Sequence, residues 1–138
     1  MTDSKWELWI ATIYPHFAGS HDPTIILHHL KEVVKEIGPS LVAIGECGLD
    51  YSAKNTVSWE KQLELFRGHI RLAMELKLPL VLHIREAEED GRAVLREERL
   101  PRRWQIHRHC FKGLSLTSQN LLYSLHLLHS LHSLHSLH

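Results

Sequence analysis

Apolar positions along the chain come in blocks whose period switches between that of a strand and that of a helix. Leu8-Trp9-Ile10-Ala11-Thr12-Ile13 is a short, mostly apolar run rich in β-formers, the pattern of a strand buried on both faces. Asp22-Pro23 supplies an N-cap followed by proline at the first helical position. Ile26, Leu30, Val33 and Ile37 then recur at helical spacing up to Gly38-Pro39, which predicts a helix of about four turns. Leu41-Val42-Ala43-Ile44-Gly45 predicts a second buried strand. Ser58 caps a long amphipathic helix in which Trp59, Leu63, Phe66, Ile70 and Ala73 form the apolar face, and Pro79 marks its stop. Leu80-Val81-Leu82-His83-Ile84 predicts a third strand. Glu86 to about Glu98 reads as a polar helix weakened by Gly91, and Trp104-Gln105-Ile106-His107 as a fourth strand. Strands alternating with helices predict a parallel α/β sheet.

The C-terminal stretch breaks this pattern. From Ser124 it reads Ser-Leu-His-Leu-Leu-His and then repeats Ser-Leu-His to the end, a period of three that fits neither helix nor strand. In a helix this repeat would spread its histidines around the axis, so it defines no metal geometry. Two units are therefore expected: a folded domain over residues 1–123 and a low-complexity, His-rich tail over 124–138.

Composition changes the picture only locally. A chain of 138 residues with 43% hydrophobic and 23% charged residues is one globular domain able to bury a core. Zero formal net charge gives no global attraction to polyanions, so contact with nucleic acid must come from a local basic patch. Arg102, Arg103, Trp104, Arg108 and Lys112 are the densest candidate, since an aromatic among cations suits a single strand. A solvated basic loop with Trp104 in the core is the alternative, and ordinary burial preferences favour it. Cys47 and Cys110 are far apart and have no visible base partner, so both read as free, buried packing thiols in a reducing compartment. No apolar leader and no membrane-length apolar run are visible, which gives the expectation of a soluble, intracellular protein of nucleus or cytoplasm with no membrane partner.

Candidate chemistry gathers at strand ends. Glu46 follows one apolar strand, His83 ends another, and His107-Arg108-His109 ends a third, so parallel strands would deliver all of them to one rim. A carboxylate with neutral imidazoles is a mixed oxygen and nitrogen set that suits Zn²⁺, Mn²⁺ or Fe²⁺, while Mg²⁺ favours more oxygen. Each residue also has a bland reading, Glu46 as a solvated strand end and each His as a hydrogen-bonded core residue.

Ala43-Ile44-Gly45-Glu46-Cys47-Gly48-Leu49-Asp50-Tyr51 resembles the Gly-Glu-x-Gly-Leu-Asp-aromatic signature of the TatD family of metal-dependent deoxyribonucleases. Leu80-Val81-Leu82-His83-Ile84-Arg85-Glu86-Ala87 is similar to that family's second signature, and His109-Cys110-Phe111-Lys112-Gly113 to its third. Tyr14-Pro15-His16 falls where many members carry His-Pro-His. The resemblance covers residues 8–113, is closest to the eukaryotic TatD-domain branch, and rests on three signatures in order.

What this resemblance implies is a TIM-type (β/α) barrel, present here in part and expected to be truncated at both its first and its last strands. It implies hydrolysis of DNA phosphodiester bonds with divalent metal (Mg, Mn or Zn, two ions in an intact domain). Glu46, His83 and His109 stand at ligand positions, with Glu46 able to bridge two metals. Asp50 is a candidate acceptor behind a ligating histidine, or else a turn residue. Arg85, two residues beyond His83 on an extended segment, is a candidate for a phosphate oxygen, or else an ion-pair partner of Glu86, Glu88 or Glu89. His16 and His107 are further candidates for supporting or substrate contacts. RNA is open as a substrate beside DNA, and the oligomeric state is not legible.

The family's opening His-x-His pair and its Glu-Thr-Asp-x-Pro segment are not found in the sequence, so an incomplete site is expected, with activity at least about a hundredfold below that of an intact domain. The alternatives are a catalytically silent regulator built on part of the barrel, another metal-dependent hydrolase on the same barrel type, and a metal-binding peptide in which the tail matters most.

Overall fold

The computed structural model describes residues 9–11 and 21–109, with Trp9, Ile10 and His109 described by their backbone alone. The Tyr14-Pro15-His16 segment, Cys110 to Gly113 and the tail over 124–138 lie outside the described residues.

Four strands are described: β1 (Trp9–Ala11), β2 (Leu41–Asp50), β3 (Leu80–Arg85) and β4 (Ile106–His109). They pair in chain order, β1-β2-β3-β4, and every pairing is parallel. Between them run α1 (Pro23–Ile37), α2 (Trp59–Leu76) and α3 (Glu88–Glu97). A doubly wound sheet reverses its strand order at a switch point; this one advances in a single direction. Right-handed crossovers between successive neighbours then put every connecting helix on the same side, which is the arrangement of a barrel arc.

Local chemistry explains the boundaries. Asp22 caps α1 by accepting from the Thr24 N–H at 2.8 Å, with Pro23 at the first helical position. Ser58 caps α2 by accepting from the Lys61 N–H. At its other end Lys77 takes the left-handed conformation and donates to the carbonyls of the last turn. Within the helices two apolar assignments change. On α1 the buried partner of Leu30 is Val34, while Val33 is 44% exposed. A step of four residues turns about 40° past a full circle and a step of three falls about 60° short, so Val34 stays nearer the inner face. On α2 the inner face carries Leu65, Phe66, His69, Ile70, Leu72 and Ala73, and Trp59 is 58% exposed.

The polar third helix runs through Gly91. A Cβ there would meet the Ile84 side chain at 3.0 Å, so glycine eases the approach of α3 to β3. Across the outer surface Arg67 and Arg71 of α2 bind Glu98 at 3.1 and 2.7 Å, and Arg67 also reaches Glu97. The Arg71 hydrogen bond holds the Glu98 carboxyl below its ordinary value. The main core cluster includes Ile44, Leu49, Phe66, Ile70, Leu80 and Leu82, where helix faces meet the sheet. No described helix is long and apolar enough to cross a membrane.

Candidate active site

β2 runs five residues beyond the Gly45 end expected from its apolar run, so Glu46 lies inside the strand and Asp50 is its last residue. The stretch Gly45-Glu46-Cys47-Gly48 has weak β propensity; pairing with β3 holds it extended. In the register Gly45 faces Val81 and Cys47 faces Leu82, so Glu46 is the extra residue of a bulge, a device that re-aims a side chain. Gly45 and Gly48 flank it at φ 134° and 146°. A Cβ on Gly45 would overlap the Val81 carbonyl and one on Gly48 the His83 carbonyl, so only glycine lets the two backbones pass this closely.

Asp50, 1% exposed, is the hub of the site. Its Oδ2 lies 3.1 Å from His83 Nε2, and its Oδ1 accepts from the Ser52 N–H at 2.9 Å. One Asp50 oxygen thus meets the turn and the other meets the histidine. With the Nε2 proton directed at Asp50, a neutral His83 carries its lone pair on Nδ1. Asp50 is fixed in turn by Gln62, a residue that the sequence pattern did not single out. The Gln62 side chain accepts from the Asp50 N–H at 2.8 Å and donates to the carbonyls of Asp50 and Val57 at 3.1 and 3.0 Å. It is 1% exposed and occupies the core-facing row of α2 with Phe66 and Ile70.

The remaining candidates divide clearly. The backbone of His109 stands opposite His83 in the β3–β4 register, so these two positions are level on adjacent strands. His107 is half-buried and opposite Val81. Arg85 ends β3, is exposed, and makes no ion pair among the described residues. Glu88, one of its expected partners, pairs with Arg108 at 2.6 Å, and Arg108 also donates to the Ile84 carbonyl. That pairing takes Arg108 out of the basic cluster, while Arg102 and Arg103 are exposed. Trp104 packs against the core with its indole donating to the Leu78 carbonyl at 3.0 Å, the bland reading of that residue. Cys47 is fully buried, and desolvation first and the Glu46 charge second push its thiol far up, so it is no nucleophile. His16 and Cys110 lie outside the described residues.

One further group stands on this rim. Tyr51, the residue after Asp50, donates its N–H to the Arg85 carbonyl at 3.0 Å and its hydroxyl to Asp90 at 2.7 Å. Burial and then the Asp90 contact raise its phenol above the ordinary value. Its ring stacks on Trp59, with centroids 4.5 Å apart and planes 19° apart. Trp59 was expected in the core because its spacing continues the apolar row; at the first turn of α2 it pairs with Tyr51 instead.

Among the described residues no three His, Cys, Asp or Glu side chains converge closely enough to hold a metal ion. Glu46 and His83 are chemically suited to a divalent cation but make only part of a ligand set.

Parallel strands in chain order, with carboxylate and imidazole side chains on their C-terminal halves, define an arc of a β/α barrel. The chain belongs to the family of TatD-related DNases, whose family model matches residues 5–135. It is 38% identical over 121 residues to the human 3'-5' RNA nuclease TATDN2, covering 82% of this chain and 15% of that protein. It is 39% identical over 105 residues to the 3'-5' ssDNA/RNA exonuclease TatD of Erwinia tasmaniensis, covering 75% of this chain and 38% of that one. Among solved structures, a TatD homologue from Escherichia coli superposes with a TM-score of 0.66 at 23% identity, over 85% of this chain and 44% of that chain. An uncharacterized amidohydrolase from Saccharomyces cerevisiae gives 0.65 at 19% identity, over 85% and 46%. The chain thus spans less than half the length of each of these proteins, and the two structural matches establish the fold.

Proposed function

We propose that this chain contributes to metal-dependent hydrolysis of nucleic-acid phosphodiester bonds, with residues 1–123 as the catalytic arc. The observation that carries the reading is the buried Asp50–His83 pair, in which His83 is level with Gly48 on one neighbouring strand, two residues past Glu46, and with His109 on the other. The relatives support it, being nucleases that act on RNA or on single-stranded DNA and RNA.

Glu46, His83 and His109 are the residues that would hold a divalent cation (Mg²⁺, Mn²⁺ or Zn²⁺), joined by donors outside this described set. Such a cation, two in an intact domain, supplies an activated water near neutral pH and neutralises charge on the phosphoryl oxygens. The chain's own work is orientation. Asp50 fixes the His83 ring and its proton, and Gln62 fixes Asp50. Arg85 meets a phosphate oxygen with a guanidinium that is not engaged by a neighbouring carboxylate.

Calorimetric titration with Mn²⁺ tests this reading in a chain shortened by residues 124–138, so that the tail histidines do not contribute. The Glu46→Gln, His83→Ala, His109→Ala triple variant should lose the binding isotherm, together with any metal-dependent cleavage of single-stranded DNA or RNA. An unchanged stoichiometry and affinity would remove the site. Arg85→Ala should weaken oligonucleotide binding for every base sequence and lower the salt slope by about 1, as expected for one phosphate contact. An unaltered slope would assign Arg85 elsewhere.

A further inference from the structure

We propose that the open face of Trp59 is a stacking platform for an unpaired nucleobase, set beside the Asp50–His83 pair so that it grips the strand whose phosphate is cleaved there. The proposal rests on the nucleic-acid reading above and adds to it the element that takes the base.

A single exposed apolar residue needs no explanation. What sets Trp59 apart is its support. Tyr51 lies under one face of the indole and is itself held at both ends, by its N–H on the Arg85 carbonyl and its hydroxyl on Asp90. The indole, 58% exposed, therefore presents surface to solvent on a pile that does not have to be ordered when a ligand arrives. Position is the second argument. Tyr51 directly follows Asp50, whose carboxylate meets His83, so the pile begins one residue from the candidate catalytic pair. Arg85 ends the adjoining strand, exposed and outside the described ion pairs. An aromatic pile that begins just past the end of β2 and a cation at the end of β3 are the two components of a single-strand groove.

The charges fix the division of labour. Glu60 adjoins Trp59 in the chain and acts on Tyr51, and Asp90 accepts from the Tyr51 hydroxyl, so the charges that act on Tyr51 are acidic. The ring itself binds, and the phosphate is left to Arg85. Every base has a face to stack, so the site accepts DNA and RNA single strands alike and excludes duplex, where those faces are covered.

The test is binding of a fluorescent oligothymidylate by the full chain in EDTA, where hydrolysis is silent. Trp59→Leu should weaken binding by about tenfold, the scale of losing one base stack, while Trp59→Phe keeps most of it. The salt slope of Trp59→Leu should match the parent, unlike that of Arg85→Ala. Moving an abasic sugar along the oligonucleotide should reveal one position whose penalty is present in the parent and gone in Trp59→Leu. Parent-like affinity in Trp59→Leu, equal binding of duplex, or abasic penalties that are the same in both proteins would overturn the platform. Acrylamide quenching guards against a covered ring: the Trp59 contribution, taken as parent minus Trp59→Phe, must be accessible without the strand and shielded with it, and a ring shielded from the start also overturns the proposal. Metal-dependent hydrolysis without Trp59-dependent binding sinks this proposal and spares the nuclease reading. Trp59-dependent binding without hydrolysis, even when the chain is assayed with metal, does the opposite.

Discussion

Gln62→Leu should lower the unfolding free energy by about 3 kcal/mol, although leucine nearly preserves the volume and Gln62 lies far from any expected ligand in sequence. The cost comes from what the amide holds. Its carbonyl satisfies the Asp50 N–H, and its amino group satisfies the Val57 and Asp50 carbonyls. Only the Asp50 carbonyl has another described donor, Asn55 at 3.0 Å. The variant therefore takes the described partners from a buried donor and an acceptor, each worth about 1–3 kcal/mol when left unmade. Asp50 would then be free to shift, and with it the orientation of His83, so Mn²⁺ affinity should fall about tenfold or more, the usual effect of losing support behind a ligand. Gln62→Glu separates hydrogen bonding from shape. Its carboxylate can still accept from Asp50 but is set against two carbonyls, so it should be destabilising at neutral pH and partly rescued on acidification. Urea unfolding of both variants reads the first effect and calorimetry the second. A Leu variant within about 0.5 kcal/mol of the parent would show that the clamp is idle.

Gln62 also shows what was legible in the sequence and what was not. The alternation of strands and helices followed from period alone, because each element buries one row or one run against the sheet. Its limits did not. β2 was cut at Gly45 because Glu46, Gly48 and Asp50 look like loop residues, whereas the β3 backbone and the Gln62 clamp keep them in the strand. The row Gln62, Phe66, Ile70 and Ala73 was in principle readable: a polar side chain at a core-facing step announces a buried hydrogen-bond partner. Counting apolar positions alone passed over it and placed Trp59 in the core one turn earlier. The signatures pointed to Glu46, His83 and His109 as candidates. What no one-dimensional pattern contains is that Asp50 serves His83 with one oxygen and its own turn with the other, or that Tyr51 and Trp59 meet.

Acidification should destabilise the fold by about 3 kcal/mol between pH 6.5 and about 4 through one residue, His69. This residue sits in α2 at 1% exposure, with Nδ1 2.7 Å from the Leu65 carbonyl. That geometry places the proton on Nδ1, donating to the carbonyl, and leaves Nε2 buried with no hydrogen-bond partner among the described residues. Desolvation opposes the charged ring, the carbonyl offsets only part of this, and the pKa falls from 6.5 to about 4. The sign follows from proton counting. Above pH 6.5 the ring is neutral in both states and His69 contributes no pH dependence. Between 6.5 and about 4 the unfolded chain binds a proton that the folded chain refuses, so stability falls as the pH falls. Below about 4 both states are protonated and the loss is complete. Glu98, held low chiefly by Arg71, begins to lose its contribution as the pH enters the ordinary carboxylate range, so it overlaps only the acid end of the His69 window and acts equally in the parent and in a His69 variant. His69→Leu fills the same apolar niche without a titrating group. Urea unfolding at intervals from pH 7.5 to 4 should show parent and variant running parallel above about pH 6.5 and diverging below it, with the variant the more stable at pH 5. Equal slopes for the two proteins across that interval would mean that His69 finds a way to be charged in the folded state, and the burial argument would fail with it.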